Sequence, residues 1–211
     1  MTQKIMVYDI EIKKAIPDRY GSMQPGLNYC MGWHDHENMG IAVLCALDTL
    51  TGQMHTLTPE ESAEDAETLH SLLAQSDYIV GFNSHGFDNK ILKAQGYNVP
   101  ASKSYDILEQ VKAAAGAGMY AKGYKLEQIA KANGLGSKLE GTAGADAPAL
   151  YQSGDPVKIA QLHDYCRQDV VLTANILYKI IDGILTCPVS GCYLTVQTPA
   201  QVLGVVQRGM F

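Results

Sequence analysis

Three places in this chain put carboxylates where carboxylates are costly. In Ile5-Met6-Val7-Tyr8-Asp9-Ile10-Glu11-Ile12 the alternation predicts a strand with Ile5, Val7, Asp9 and Glu11 on one face. The two acidic side chains then stand roughly 6.5 Å apart along the strand. Acids are poor strand formers, and neighbouring like charges repel unless a positive charge lies between them. A divalent cation removes that conflict; an edge strand with one solvated face is the plainer alternative. Asp169 falls on the apolar stripe of a long predicted helix, between Leu162 and Thr173, where a buried carboxylate needs a partner. Tyr165 lies four residues before it, on the same face. A part-exposed Asp169 paired with Arg or Lys would also account for it. Asp88 follows a strand and opens a helix, so helix N-capping alone would explain it. Asn83, at the strand end, can brace the loop through its side-chain amide. Hard oxygen ligands without a thiolate or imidazole cluster favour Mg²⁺ or Mn²⁺ over Zn²⁺.

These residues need a scaffold, and the pattern supplies one. Strands are predicted over Ile5 to Ile12, Gly40 to Leu47, Gln53 to Leu57 and Asp77 to Phe82. Thr58-Pro59-Glu60-Glu61 reads as a helix start, with Thr58 as N-cap and Glu61 closing a capping box, and that helix runs to about Gln75. Further helices are predicted at Asp88 to Gln95, stopped by Gly96, and at Lys125 to Asn133. Ser104 to Leu108 is an edge strand or a helix start. Gly136 to Gly154, rich in Gly, Ala, Pro and Ser, reads as a surface loop. The longest helix opens at Asp155-Pro156 and runs to Leu185, with Ile159, Leu162, Cys166, Thr173, Leu177, Ile180 and Ile184 as its stripe. A short helix from Pro199 to Gln207 follows. Three strands and then helix–strand–helix alternation indicate an α/β domain with a mixed sheet. No repeat, low-complexity tract or linker breaks the chain, so residues 1–211 are expected to form one domain, with 186–211 packed on it as an extension.

The chain has 211 residues, 46% hydrophobic and 18% charged, as befits a globular protein with a substantial core. The longest apolar stretch, Gly40 to Leu47, is too short to span a bilayer. No signal-peptide pattern opens the sequence, and an odd count of five cysteines without a CxxC pair suggests free thiols, so a cytoplasmic location is expected. Cys187 and Cys192, flanking a Pro-Val-Ser-Gly turn, are close enough in sequence to meet. The net charge of −6 is unevenly distributed: 1–84 carry −8, 85–138 carry +4 and 139–211 carry −2. A basic middle third beside acidic flanks suits a protein that follows a phosphate backbone while its acids bind metal; solvated lysines on helices give the same count.

Taken in order, Tyr8-Asp9-Ile10-Glu11, Gly81-Phe82-Asn83-Ser84-His85-Gly86-Phe87-Asp88 and Tyr165-Cys166-Arg167-Gln168-Asp169 resemble the three motifs of DEDD exonucleases, in the ribonuclease H-like superfamily. The Tyr-x-x-x-Asp form of the third is similar to the tyrosine subclass, which includes ribonuclease D and polymerase proofreading domains. The Asn-x-x-x-Phe-Asp and Tyr-Cys-x-x-Asp spacings resemble family B proofreading domains and small stand-alone nucleases. The resemblance spans residues 5 to about 180. It implies a ribonuclease H-like mixed sheet flanked by helices and a metal-dependent 3′→5′ exonuclease acting on the 3′ end of single-stranded DNA or RNA. It further implies two Mg²⁺ or Mn²⁺ ions: Asp9 bridging both, Glu11 and Asp169 completing one site, Asp88 holding the second, and Tyr165 orienting the attacking water. The sequence departs from the pattern in places. No polymerase sequence follows within these residues, so proofreading within one long polypeptide is not expected, and the segment after Phe87 is short. The position a histidine subclass would fill is Asp164, with His163 one residue too far back. A catalytically silent nucleic-acid-binding module and an endonuclease of the same superfamily are the competing readings.

Several weaker signals remain. Phe87 packs beneath the metal site or stacks a base. Trp33, the single tryptophan, reads as a core anchor rather than a stacking platform. His34-Asp35-His36-Glu37 reads as a solvated loop, although two His at i and i+2 can share a metal. The Gly116 to Lys125 stretch offers Tyr120, Lys122 and Tyr124 to a single strand, or is an ordinary connection. The lysines from Lys90 to Lys138 are candidates for gripping the strand behind its 3′ end.

Overall fold

The computed structural model describes residues 3–18, 21, 23–136 and 144–204. Five strands form one mixed sheet: β1 (Ile5–Ile12), β2 (Ile41–Asp48), β3 (Gln53–Leu57), β4 (Tyr78–Gly81) and β5 (Ser104–Asp106), in the order β3-β2-β1-β4-β5. The antiparallel β1–β2–β3 meander continues into parallel β4 and β5 on the other side of β1. The expected mixed α/β sheet flanked by helices is therefore present. β1 is central, and its burial is nearly continuous.

Each face of the sheet has its own core. Ile5 and Val7 point to one, with Cys45, Val80 and Leu162, Cys166, Val170 and Leu177 of the long helix α7 (Pro156–Ile181). Helices α4 (Ile107–Ala114) and α5 (Leu126–Ala132) pack on that side. Met6, Tyr8, Ile10 and Ile12 point to the other, against α2 (Ala63–Gln75) and α3 (Asp88–Ala94). The one-residue alternation along β1 therefore sends Asp9 and Glu11 toward α7. A short helix α1 (His36–Met39) leads into β2 and packs on α3.

Some boundaries differ from the sequence reading, each for a local reason. The helix after β3 starts at Ala63 with Ser62 as N-cap, its side chain accepting from the Asp65 N–H. Thr58 instead donates its N–H to the Asp65 carboxylate at 2.8 Å, so 58–62 is a turn preceding the helix. Ser104 to Leu108 is both alternatives in succession, edge strand β5 and then α4, with Asp106 as N-cap. Within the predicted loop Gly136 to Gly154, a 3-10 turn (Gly144–Asp146) leads into α6 (Ala147–Gln152). Gln152 fixes α6 to the long β1–β2 excursion: its amide donates to the Lys13 and Asn28 carbonyls and accepts from the Asn28 N–H. α7 stops at Ile181, short of Leu185, and Ile184 is exposed rather than on the buried stripe. The last helix, α8, covers Pro199–Leu203, and the end of its predicted span lies outside the described residues. The five cysteines are free thiols, although the Cys187 N–H donates to the Cys192 carbonyl at 2.8 Å. Among the described residues no helix is long and apolar enough to cross a membrane.

Candidate metal centre

The carboxyl ends of β1, β4 and β5 lie along one edge of the sheet, and α7 crosses beside them. From β1 come Asp9 and Glu11, opposite Cys45 and Val43 of β2, with a register slip between Glu11 and Ile12. A slip of this kind bends the strand and re-aims the side chain beside it. From α7 comes Asp169. One carboxylate oxygen from each of Asp9, Glu11 and Asp169 lies within 4.8 Å of the others. Glu11 and Asp169 are buried and Asp9 half-buried, so the solvated edge strand is ruled out for Glu11. At an effective dielectric of about 20, each charged pair at that separation repels by roughly 3–4 kcal/mol. Protons or positive charges among the three lower that cost.

Asp88 stands outside that trio but within its electrostatic reach. It is the first residue of α3, with Phe87 in the N-cap position, so helix N-capping, the plainer alternative, does not account for it. Burial drives the Asp88 carboxyl well above the usual range, and the Asp9 charge pushes it further. The phenol of Tyr8, beneath it, is also raised by burial first and then by the Asp88 charge.

The loop carrying Asp88 is held by groups that the sequence reading did not single out. Asp106 accepts the N–H groups of Asn83 and His85 at 3.0 Å each, and also those of Leu108 and Glu109 in its own helix. Asn83 has φ 61°, a left-handed conformation Asn tolerates. Its backbone braces the loop, while the residue itself is exposed. Gly81 allows Ser84 to fold back: a Cβ there would lie 2.6 Å from the Ser84 Cβ. Asn89 links the loop to the sheet, accepting from the Tyr8 hydroxyl and donating to Ser104 Oγ at 2.9 Å. The sequence signal available was Asp106 itself, an acid ending a strand and beginning a helix.

A second cluster, His85, Asp106 and Glu109, also has ligand atoms within 4.8 Å of one another. Its groups are accounted for without a cation. His85 Nδ1 lies 2.8 Å from Glu109 Oε2 and Nε2 lies 2.9 Å from Ser104 Oγ, while Asp106 serves backbone N–H groups. It is a bracket for the loop.

Beneath the trio, the Cys166 thiol lies 3.8 Å from Asp9 Oδ2. Burial first, then Cys45, and then the Asp9 and Glu11 charges push this thiol well above its ordinary range. It stays a neutral thiol, so the donor set is oxygen only and fits a hard divalent cation. Tyr165 is buried one turn before Asp169, its hydroxyl 3.8 Å from where a Cβ on Gly144 would be. The 3-10 turn therefore lies over that end of α7. His163 is half-buried, and its ring titrates below the ordinary value through burial and then Arg167. Arg167 pairs with Asp164 at 2.6 Å, not with Asp169.

Two aromatic expectations are corrected. Trp33 is 65% exposed, its ring edge-on to Phe87 at 5.9 Å, and so is not a core anchor. Tyr124 is buried, its hydroxyl 3.9 Å from Cys187 Sγ, so it belongs to the core and does not face a substrate. Tyr120 and Lys122 of the same stretch are exposed. Phe87 is half-buried, packed against the core beside Met39 and Ile91 and meeting Trp33 on its outer side. Of the grip lysines, Lys90 and Lys93 are free-standing on α3, whereas Lys103 donates to the Ala74 carbonyl. Lys138 lies outside the described residues.

Among curated proteins no sequence matches this chain. A family model described as RNase_H superfamily matches residues 31–181, from the turn before α1 to the last residue of α7. That span contains Asp88, Tyr165 and Asp169, and the sheet joins β1 with Asp9 and Glu11 to it. Because the match covers well over half of its length, the chain belongs to the RNase_H superfamily, whose members are commonly hydrolytic nucleases.

Proposed function

We propose that the protein is a DEDD-type 3′→5′ exonuclease of the tyrosine subclass, acting on single-stranded nucleic acid with two Mg²⁺ or Mn²⁺ ions. One observation carries the reading: carboxylates from β1 and α7, distant in sequence, converge within 4.8 Å, with Asp88 near enough for the Asp9 charge to raise it. Asp9 is common to both groupings and would serve both ions. Glu11 and Asp169 would complete one site, and Asp88 would hold the other. Bound there, the cations supply the positive charge that activates water and steadies the departing 3′ oxygen. The rigid β1–α7 pairing keeps three donors in place without substrate, and the Asp106 bracket does the same for Asp88. Tyr165, locked in the core by its ring, would present its hydroxyl to the attacking water and fix its direction. The neutral Cys166 thiol fills the space beneath Asp9 without competing as a ligand.

Linear and circular forms of one single-stranded oligonucleotide, incubated with Mg²⁺, Mn²⁺ or chelator, test this reading. Stepwise loss of mononucleotides from the linear form, blocked by chelator, with the circle intact, is the expected result. Rapid cutting of the circle would overturn it in favour of an endonuclease.

A further inference from the structure

α3, whose first residue is Asp88, and the His34–Glu37 segment border an open depression of about 550 Å³. That is within the roughly 300–1,000 Å³ usual for small-ligand sites. Its walls carry His34, His36, Lys90 and Lys93. Lys90 and Lys93 follow Phe87 at three-residue steps, so they leave Asp88 along one side of α3. His36 titrates below its ordinary value, through burial and then the nearby Lys90 ammonium and His34 ring. Two acids also line the depression. The Asp35 carboxylate is committed to the turn, accepting from the Met31 N–H at 2.7 Å and the Asn38 amide at 2.6 Å, which leaves Glu37. The two imidazoles, with ring centroids 6.5 Å apart, belong to no described group of three metal-ligating side chains.

Next to His34 in the chain stands Trp33, a large apolar side chain left 65% exposed and held edge-on against Phe87, which lies three residues before Lys90. An exposed aromatic ring fixed by a second ring, next to cationic side chains, is the pairing that grips unpaired strands: bases stack on the ring while the cations follow the phosphates. From Phe87 to Lys93 the helix rises about 9 Å, leading away from Asp88.

We infer that this depression and the neighbouring Trp33 form a nucleotide-binding subsite, in which Trp33 stacks a base of single-stranded nucleic acid and Lys90 and Lys93 hold its phosphates. The inference rests on the reading that the protein acts on such strands. It makes the His34–Glu37 turn and α3 the path by which the strand leaves the metal centre, rather than the Tyr120–Tyr124 stretch.

Because Trp33 is the single tryptophan, its own emission reports the contact. The full chain in chelator, which prevents hydrolysis, is titrated with a short end-labelled oligothymidylate while Trp33 emission and label anisotropy are followed together. Saturable quenching that tracks the anisotropy is expected. Trp33→Ala should weaken binding about tenfold. Lys90→Gln/Lys93→Gln should flatten the log–log salt dependence by about 1.4, two phosphate contacts on a single strand. All three positions are exposed, so folding is undisturbed. Unchanged emission where the anisotropy saturates, or wild-type affinity in both variants, overturns the subsite. Hydrolysis of linear strands in Mn²⁺ without quenching would overturn the subsite and leave the exonuclease reading standing; quenching without hydrolysis would do the reverse.

Discussion

Asp88 is a carboxyl whose folded environment favours its protonated form. Burial and the Asp9 charge raise it well above the usual range, so in the metal-free protein its ionisation opposes folding. Below the ordinary carboxyl value of about 3.8 both folded and unfolded chains hold the proton, and no cost arises. As the pH climbs past that value the unfolded chain loses its proton first, and the native state is progressively disfavoured. Asp88→Asn should therefore raise the metal-free melting temperature at neutral pH, with the gain disappearing toward pH 3. A gain of 1 kcal/mol would read as roughly 2–4 °C in a chain of this size. A melting temperature unchanged at neutral pH would contradict it. Tyr165 is a second residue-scale test. Tyr165→Phe keeps the buried ring, so stability should hold while turnover falls by about 10²–10⁴-fold. Unaltered turnover would leave Tyr165 a packing residue. Asp9, Glu11 and Asp169 were legible in the sequence because each is an acid on a face that otherwise reads as core. Trp33 and Tyr124 were not, because an aromatic suits either environment and its burial is decided by distant partners.

Elements matter here as holders of the site. The segment from Asn83 to Phe87 has no regular structure, yet it must deliver the Asp88 carboxylate beside Asp9. Asp106 does this across a parallel strand pair, by accepting two N–H groups of the loop and two of α4. Asp106→Ala would orphan those donors at about 1–3 kcal/mol for each that stays buried. Thermal unfolding should therefore show a loss of several degrees. Mn²⁺ affinity should also fall, because Asp88 loses its support. A variant with wild-type stability and affinity would show that the bracket is dispensable. β1 and the long helix could be read from periodicity alone, since their apolar residues keep the period of the element. The Gly81–Ser84 contact, the Asp106 bracket and α6 could not. The first two depend on strand pairing between remote segments, and α6 lies in a Gly- and Pro-rich stretch fixed by Gln152 against the β1–β2 excursion.

Across the whole molecule, the acidic first part supplies β1 with Asp9 and Glu11, and the basic middle opens with α3, which carries Asp88, Lys90 and Lys93. The sequence showed the charge division but not which lysines are available; the structure leaves Lys90 and Lys93 exposed on α3 and ties Lys103 to a backbone carbonyl. The β1–α7 carboxylates are proposed to make this protein a metal-dependent nuclease. The most direct measurement compares wild type with Asp9→Ala on a 5′-labelled single strand in Mn²⁺, with both proteins shown to be folded. A ladder of products shortened from the 3′ end is expected for wild type and an intact strand for Asp9→Ala. Equal degradation by the two proteins would contradict it.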